Sequence, residues 1–144
     1  MLERGYAERD LAGAAAALRT SLVEIARLLA TTGGHRSARE RVAASVEALR
    51  GDWVRSRRLG ELAAAAGLSP AHYSSLFREH TGFAPIDYLI RLRVQHACRL
   101  LDTTTHSVNE IATIVGYDDP YYFTRSFRRV MGRSPRDYRK VTKG

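Results

Sequence analysis

Apolar residues recur at spacings of three and four along this chain, and no segment alternates with a period of two. The clearest early stretch is formed by Leu11, Ala15, Leu18, Leu22, Ile25 and Leu29, before Thr31-Thr32-Gly33-Gly34. Positions three and four apart share one face of an α-helix, so the pattern predicts an amphipathic helix over residues 10–31. A second stripe predicts a helix from about residue 38 to 49 and is made by Val42, Val46 and Leu49.

Six more helices are predicted by start and stop signals, at about residues 59–66, 70–81, 85–102, 108–115, 120–131 and 135–140. Three of them begin with an N-cap side chain ahead of a proline, at Ser69-Pro70, Asp119-Pro120 and Ser134-Pro135. Such pairs mark helix starts, because the side chain accepts a free N–H and proline needs none. Ser107 with Glu110 fits a capping box, and Gly82 and Gly132 fit left-handed helix ends. These signals predict an all-α fold.

Part of the chain repeats itself. The segment from Leu62 to Tyr88 returns from Ile111 to Tyr138, with an offset of 49 residues up to the glycines at 67 and 116 and of 50 from the prolines at 70 and 120. The single added residue falls in the turn, where insertions are tolerated best. A duplicated helix–turn–helix is therefore predicted, the first copy at about 59–82 and the second at about 108–132, joined by a linker helix at about 85–102.

Each copy contains the parts that a DNA-contacting unit needs. A first helix with small residues (Ala63 and Ala66, or Ala112) allows close helix crossing, and a glycine makes the turn. The second helix carries a core stripe, formed by Tyr73, Leu76 and Phe77 or by Phe123, Phe127 and Val130. Residues off the stripe can reach base edges in a major groove. In the first copy they are Ala71, His72, Ser74, Ser75 and Arg78, and in the second Tyr121, Tyr122, Thr124, Arg125 and Arg128.

The two sets differ in chemistry. Arg125 is able to bond in bidentate fashion to a guanine, a contact worth roughly 1–3 kcal/mol of discrimination, or to bind a phosphate. The first set holds short side chains at its centre, which suit thymine methyls or phosphates. Arg78 and Arg128 each follow a core phenylalanine, a position that suits a backbone contact or a pairing within the protein better than base readout.

The linker helix sets the predicted spacing of the two copies. At 1.5 Å per residue it spans roughly 25 Å, a rod able to hold two recognition helices about one DNA turn, roughly 34 Å, apart. One chain would then cover a site for which other helix–turn–helix proteins need a dimer.

Charge supports a polyanionic partner. The formal net charge is +8, and residues 1–35 hold as many acidic as basic residues, so the whole excess falls in residues 36–144. Exposed arginines are expected in the second copy, at Arg125, Arg128, Arg129 and Arg133. A basic part beside a neutral part indicates that the basic part binds nucleic acid.

Other classes of protein fit poorly. The one cysteine, Cys98, allows no internal disulfide and no Cys-rich zinc site, and the five histidines lack metal-ligand spacing. No phosphate loop or nucleophile elbow is found, so no enzyme, cofactor or metal is expected. The sequence also lacks an apolar run of about 18 residues and a signal peptide. A cytoplasmic protein without a membrane partner is predicted, and 21 Arg against 2 Lys fits a high-GC bacterial source.

The stretch from about Val42 to Lys140 resembles the DNA-binding domain of the AraC/XylS family of bacterial transcriptional regulators. The resemblance is carried by Ile111-Ala112, Gly116-Tyr117, Tyr122-Phe123, Phe127-Arg128, Gly132, Ser134-Pro135 and Tyr138-Arg139, and by the linker residues Tyr88, Arg93, Ala97, Leu100 and Leu101.

That resemblance implies seven helices in two subdomains, promoter binding through adjacent major grooves of double-stranded DNA, and usually activation by contact with RNA polymerase. Its DNA-contacting positions correspond here to Ala71, Ser74 and Ser75, and to Pro120, Tyr121, Tyr122, Thr124 and Arg125. Two departures stand out. Arg58-Leu59-Gly60 lacks a Ser or Thr cap, so that helix start is expected to fray, and the short side chains of the first set weaken its case for base readout.

Residues 1–35 are expected to be a dimerisation segment or a remnant of a sensing domain, placed before a DNA-binding domain at residues 36–144. The leucine stripe suits a homodimer through residues 10–31 or packing on the same chain. The chain is expected to be the C-terminal portion of a longer regulator or a short family member. The alternative function is a helical interaction module that acts on the transcription machinery without contacting DNA.

Overall fold

The computed structural model describes residues 36–144, and within them the chain forms seven α-helices and no strand. The helices are α1 (Ala38–Gly51), α2 (Leu59–Ala65), α3 (Pro70–Thr81), α4 (Pro85–Thr103), α5 (Val108–Ile114), α6 (Pro120–Met131) and α7 (Pro135–Lys143). The all-α prediction is confirmed, and each helix predicted in this range is found to within a few residues. The predicted helix over residues 10–31 and its dimer contact lie outside the described residues.

Short local signals begin and end these helices. The side chains of Ser69, Asp119 and Ser134 each accept a backbone N–H of the first turn that follows, and Ser107 forms a capping box with Glu110. Helix α2 begins at Leu59 despite its missing Ser or Thr, because the Glu61 carboxylate accepts the Arg58 N–H at 3.3 Å. The helix thus starts at the predicted residue, and the fraying of this end stays a prediction.

Two hydrophobic cores lie along the chain. The first joins α1, α2 and α3, and its buried residues include Val42, Val46, Leu62, Tyr73 and Phe77. The second joins the later part of α4 with α5 and α6, and its buried residues include Val94, Leu101, Ile111, Phe123 and Phe127. Each recognition helix, α3 or α6, thus has a core-facing stripe that fixes which of its faces is exposed.

Helix α4 serves both cores. Tyr88, near its start, makes an edge-on ring contact with Phe77 of α3 at 5.4 Å. Tyr138 of α7 contacts Phe127 of α6 in the same way, at 5.7 Å. The start of α4 therefore packs on the first core in the way that α7 packs on the second. The later residues of α4 form a wall of the second core.

Residues 52–58, between α1 and α2, form a segment that contacts both cores and is called the strap below. Trp53 packs against both cores and stacks on His96 of α4, with ring centroids 3.8 Å apart. Burial, with help from the charge of Arg99, lowers the pKa of His96 below its ordinary 6.5, which favours the neutral ring. The Trp53 and Val54 carbonyls each accept a hydrogen bond from Arg93 at 3.0 Å.

Candidate nucleic-acid interface

Helix α6 presents the second set of predicted DNA-contacting residues. Phe123, Ser126 and Phe127 are buried against the core. The predicted contact residues of this helix are exposed or half-buried: Pro120, Tyr121, Tyr122, Thr124, Arg125 and Arg128. Tyr121 is 82% exposed. The helix therefore offers a face of aromatic, hydroxyl and guanidinium groups.

Helix α3 presents the first set with different chemistry. Tyr73 and Phe77 are buried, and the Tyr73 hydroxyl lies 2.7 Å from the Ser45 hydroxyl of α1. The outward positions are exposed or half-buried: Ala71, His72, Ser74, Ser75 and Arg78. All the predicted contact residues thus lie on accessible faces of the two recognition helices, while their contact with DNA stays a prediction.

The arginines of this region differ in what they bind within the protein. In residues 36–144, the side chains of Arg78 and Arg128 take part in no hydrogen bond or ion pair. Of the two roles that the sequence left open for them, pairing within the protein is therefore not seen. Arg129 behaves differently, because it donates to the Asp87 carboxylate of α4 at 3.0 Å. Its charge is partly neutralised, so its support for nucleic-acid binding is weaker than the sequence suggested.

Arg125 has an aromatic neighbour and no acidic one. Its guanidinium carbon lies 5.9 Å from the centroid of the Tyr122 ring on the same helix, within the range of a cation–π contact. In the described part of the chain no carboxylate pairs with it. Its charge therefore remains available for an anion or a base edge.

Arg93 is the residue whose role the sequence analysis missed. It lies on α4, is only 8% exposed, and binds the strap carbonyls on one side. Its guanidinium carbon also lies 5.3 Å from the centroid of the Tyr117 ring. One signal was available, since Arg93 occupies a core-facing position between Leu89 and Ala97. A buried arginine requires partners, but the sequence does not show that the strap supplies them.

Tyr117 follows the turn before α6 and is 4% exposed. Burial raises the pKa of its phenol, and the nearby Ser126 hydroxyl partly offsets this, although no hydrogen bond of good geometry reaches the Tyr117 oxygen. Its ring contacts Phe123 at 5.3 Å and Tyr122 at 5.6 Å. Tyr117 thus joins the core to the exposed face of α6 mainly through its ring.

Cys98 is half-buried, and burial raises the pKa of its thiol. Within residues 36–144 no group of three or more His, Cys, Asp and Glu side chains could hold a metal ion. Over that range none of the helices combines the length and the apolar character needed to cross a membrane.

The chain is similar to known families of proteins. A model of a helix–turn–helix domain matches residues 62–141. The MmsAB operon regulatory protein of Pseudomonas aeruginosa is 45% identical over 82 residues, which are 57% of this chain and 27% of that protein. The regulator GlxA of Rhizobium meliloti is 38% identical over 79 residues, 55% of this chain and 24% of that protein. The matched part is thus about a quarter of the length of these relatives.

Solved structures show the same fold. The DNA-binding domain of the global transcriptional factor AdpA, solved in complex with a target DNA, superposes with a TM-score of 0.66 at 35% identity, over 71% of this chain and 92% of that one. The C-terminal domain of the response regulator AraT from Geobacillus stearothermophilus also gives 0.66, at 29% identity, over 70% of this chain and 84% of that one.

Proposed function

Because the chain belongs to the AraC-type family of helix–turn–helix transcriptional regulators, we propose that residues 36–144 bind a promoter by placing α3 and α6 in adjacent major grooves. One observation carries this proposal. Both recognition helices bury an aromatic stripe and expose, on their other faces, polar and basic side chains, of which Arg78, Arg125 and Arg128 are engaged by no acidic residue of the described chain. Such faces suit the phosphates and base edges of a groove.

The two helices divide the work of recognition. Arg125 bonds to a guanine from α6, with Pro120, Tyr121, Tyr122 and Thr124 around it. Helix α3 offers Ala71, His72, Ser74 and Ser75, which suit thymine methyls and phosphates. Arg78 and Arg128 contact phosphates, where a charge adds affinity without sequence preference. Selection of bound duplexes from a random pool tests this division, since the α6 half-site should be the more strongly constrained.

Activation is the proposed outcome of promoter binding, through contact with RNA polymerase. A relative named as the transcriptional activator RhaR, from Yersinia pestis, is 42% identical over 65 residues, 45% of this chain and 22% of that protein. A homodimer through residues 10–31 remains a proposal about a segment outside the described residues. Light scattering of the intact chain tests it, and a monomer would rule it out.

The alternative is a helical module that contacts the transcription machinery and not DNA. The salt dependence of binding distinguishes the two functions, because displacement of counterions makes the affinity of a protein for DNA fall steeply as the salt concentration rises. Absence of binding to duplex DNA at low salt would favour the alternative. The basic, unpaired side chains on α3 and α6 favour the DNA-binding function.

The base-reading role of Arg125 makes the first prediction. We expect Arg125→Ala to weaken binding to the selected duplex by about 5- to 150-fold relative to random duplex, since a bidentate contact to guanine discriminates by roughly 1–3 kcal/mol. Arg128→Ala is the matched control, and it should weaken both duplexes alike and reduce the salt dependence by about one phosphate. Competition binding measures both. Equal losses for Arg125→Ala on the two duplexes would contradict base reading.

A further inference from the structure

A row of four side chains, each in a ring or cation–ring contact with the next, runs from the interior of the protein to the exposed face of α6. The guanidinium of Arg93 faces the ring of Tyr117 at 5.3 Å, the Tyr117 and Tyr122 rings are 5.6 Å apart, and the guanidinium of Arg125 lies 5.9 Å from the Tyr122 ring. Each member therefore contacts the next. The row ends on the residue to which base reading is assigned above.

The inner end of this row is fixed. Arg93 is held by two strap carbonyls at 3.0 Å each, and Tyr117 is buried between Arg93 and Phe123. Tyr122 is 46% exposed, so one part of its ring is supported by Tyr117 and another part is available to Arg125. A ring that is held from behind offers the arginine a surface of defined position.

The first repeat provides an internal comparison. The positions equivalent to Tyr117, Tyr122 and Arg125 are occupied there by Leu68, His72 and Ser75. Both repeats keep the aromatic contacts of their cores, but only the second carries the aromatic row. The row therefore occurs in the copy that also carries the arginine, and it is not needed to build the helix–turn–helix itself.

We propose that Tyr122 is a positioning residue, whose ring, supported by Tyr117, holds the guanidinium of Arg125 in the orientation in which it meets a guanine. This inference rests on the base-reading function proposed for Arg125. A long arginine side chain loses rotamer freedom when it binds, and prior stacking on a ring reduces that loss. The ring carries the effect and the phenol hydroxyl does not.

The test compares Tyr122→Leu with Tyr122→Phe. The measured quantity is the ratio of affinities for the selected duplex and for the same duplex with the guanine recognised by Arg125 replaced. We expect Tyr122→Leu to lower this ratio by about 2- to 5-fold, the size of an exposed cation–π contact. Tyr122→Phe keeps the ring and should leave the ratio unchanged. Thermal unfolding of both variants should show that the half-exposed position leaves the fold intact.

A double-mutant cycle distinguishes positioning from direct contact. In the Arg125→Ala background, Tyr122→Leu should cause no further loss of discrimination, because nothing is left to position. Tyr121→Leu is the matched control. Tyr121 is 82% exposed and is not part of the row, so its effect should be the same with or without Arg125.

Three results would overturn the inference. Tyr122→Leu could keep full discrimination, Tyr122→Phe could lose as much as Tyr122→Leu, or the loss could persist unchanged in the Arg125→Ala background. Failure of the proposed function looks different, because Arg125→Ala alone would then leave discrimination unaffected. Loss with Arg125→Ala but none with Tyr122→Leu would refute the positioning role and leave base reading in place.

Discussion

Gly116 shows how much of this fold depends on single residues. Its backbone has a φ of +90°, a conformation that side-chain-bearing residues rarely adopt, and a Cβ at this position would lie 2.3 Å from the carbonyl oxygen of Val54. The residue therefore meets two constraints, one local and one from the strap. Gly132 ends α6 at a φ of +75° with nothing within 4 Å of an added Cβ, so it meets only the local constraint.

Replacing each of these two glycines by alanine should distinguish the cost of the local backbone conformation from the cost of the contact with the strap. We expect Gly132→Ala to cost about 1–2 kcal/mol of unfolding free energy, the usual penalty for a left-handed backbone. Gly116→Ala should cost about 2–5 kcal/mol, because overpacking against the strap adds about 1–3 kcal/mol. Urea unfolding of the two variants measures the difference. Similar losses would mean that the strap moves aside freely.

The contrast between local and distant constraints also explains which features could be predicted from the sequence. The turn glycines, the caps and the outward faces of α3 and α6 follow from neighbours in the chain, and their placement agrees with expectation. The role of Arg93 could not be predicted, because its partners Trp53 and Val54 lie about forty residues away and bind it through their carbonyls. Backbone acceptors carry no sequence signature. The contacts of the site residues with DNA likewise stay predictions.

Among the helices, α4 differs most from an ordinary connector. Its nineteen residues begin as the closing helix of the first half and continue as a wall of the second core. The sequence predicted its length and its bounds almost to the residue. Its double role was harder to predict, because it depends on which core each turn faces. The start of α4 also lacks a side-chain cap at Ala84, whereas the equivalent start of α7 is capped by Ser134.

That difference predicts opposite effects of exchanging the two cap residues. The backbone of Ala84 has nearly the same conformation as that of Ser134, at φ −62° and ψ 150° against φ −68° and ψ 158°. We expect Ala84→Ser to raise the unfolding free energy, and Ser134→Ala to lower it, by about 0.5–2 kcal/mol each. Denaturant unfolding checks both signs. A destabilised Ala84→Ser would contradict the assumption that the free N–H groups of α4 lack a better partner.

At the scale of the described chain, the two cores are joined by side chains and not only by α4. Trp53 contacts both cores, Arg93 binds the strap from α4, and Asp87 of α4 accepts hydrogen bonds from Arg91 and from Arg129 of α6. The duplicated halves therefore form a single compact unit from Ala38 to Gly144. The sequence predicted two halves and a rod, and the contacts across them are what it did not show.

A single unit should unfold in a single step. Trp53 is the only tryptophan of the chain, so its fluorescence reports on the junction, while methyl signals of Val46 and Ile111 report on the two cores. We expect all three probes to give the same midpoint in urea, as two-state unfolding requires. Different midpoints for the two methyl signals would show that the halves unfold separately.

The strap also determines how these repeats could be exchanged between relatives. Trp53 and Val54 precede the first repeat in the chain but contact His96, Arg93 and the Gly116 turn of the second half. A chimera joined within α4 would thus pair a second repeat with a foreign strap. Exchange of the second repeat alone, without the strap, would break this contact. A graft of the second repeat should carry residues 52–58 with it, so the structural unit that supports the second recognition helix is discontinuous in sequence.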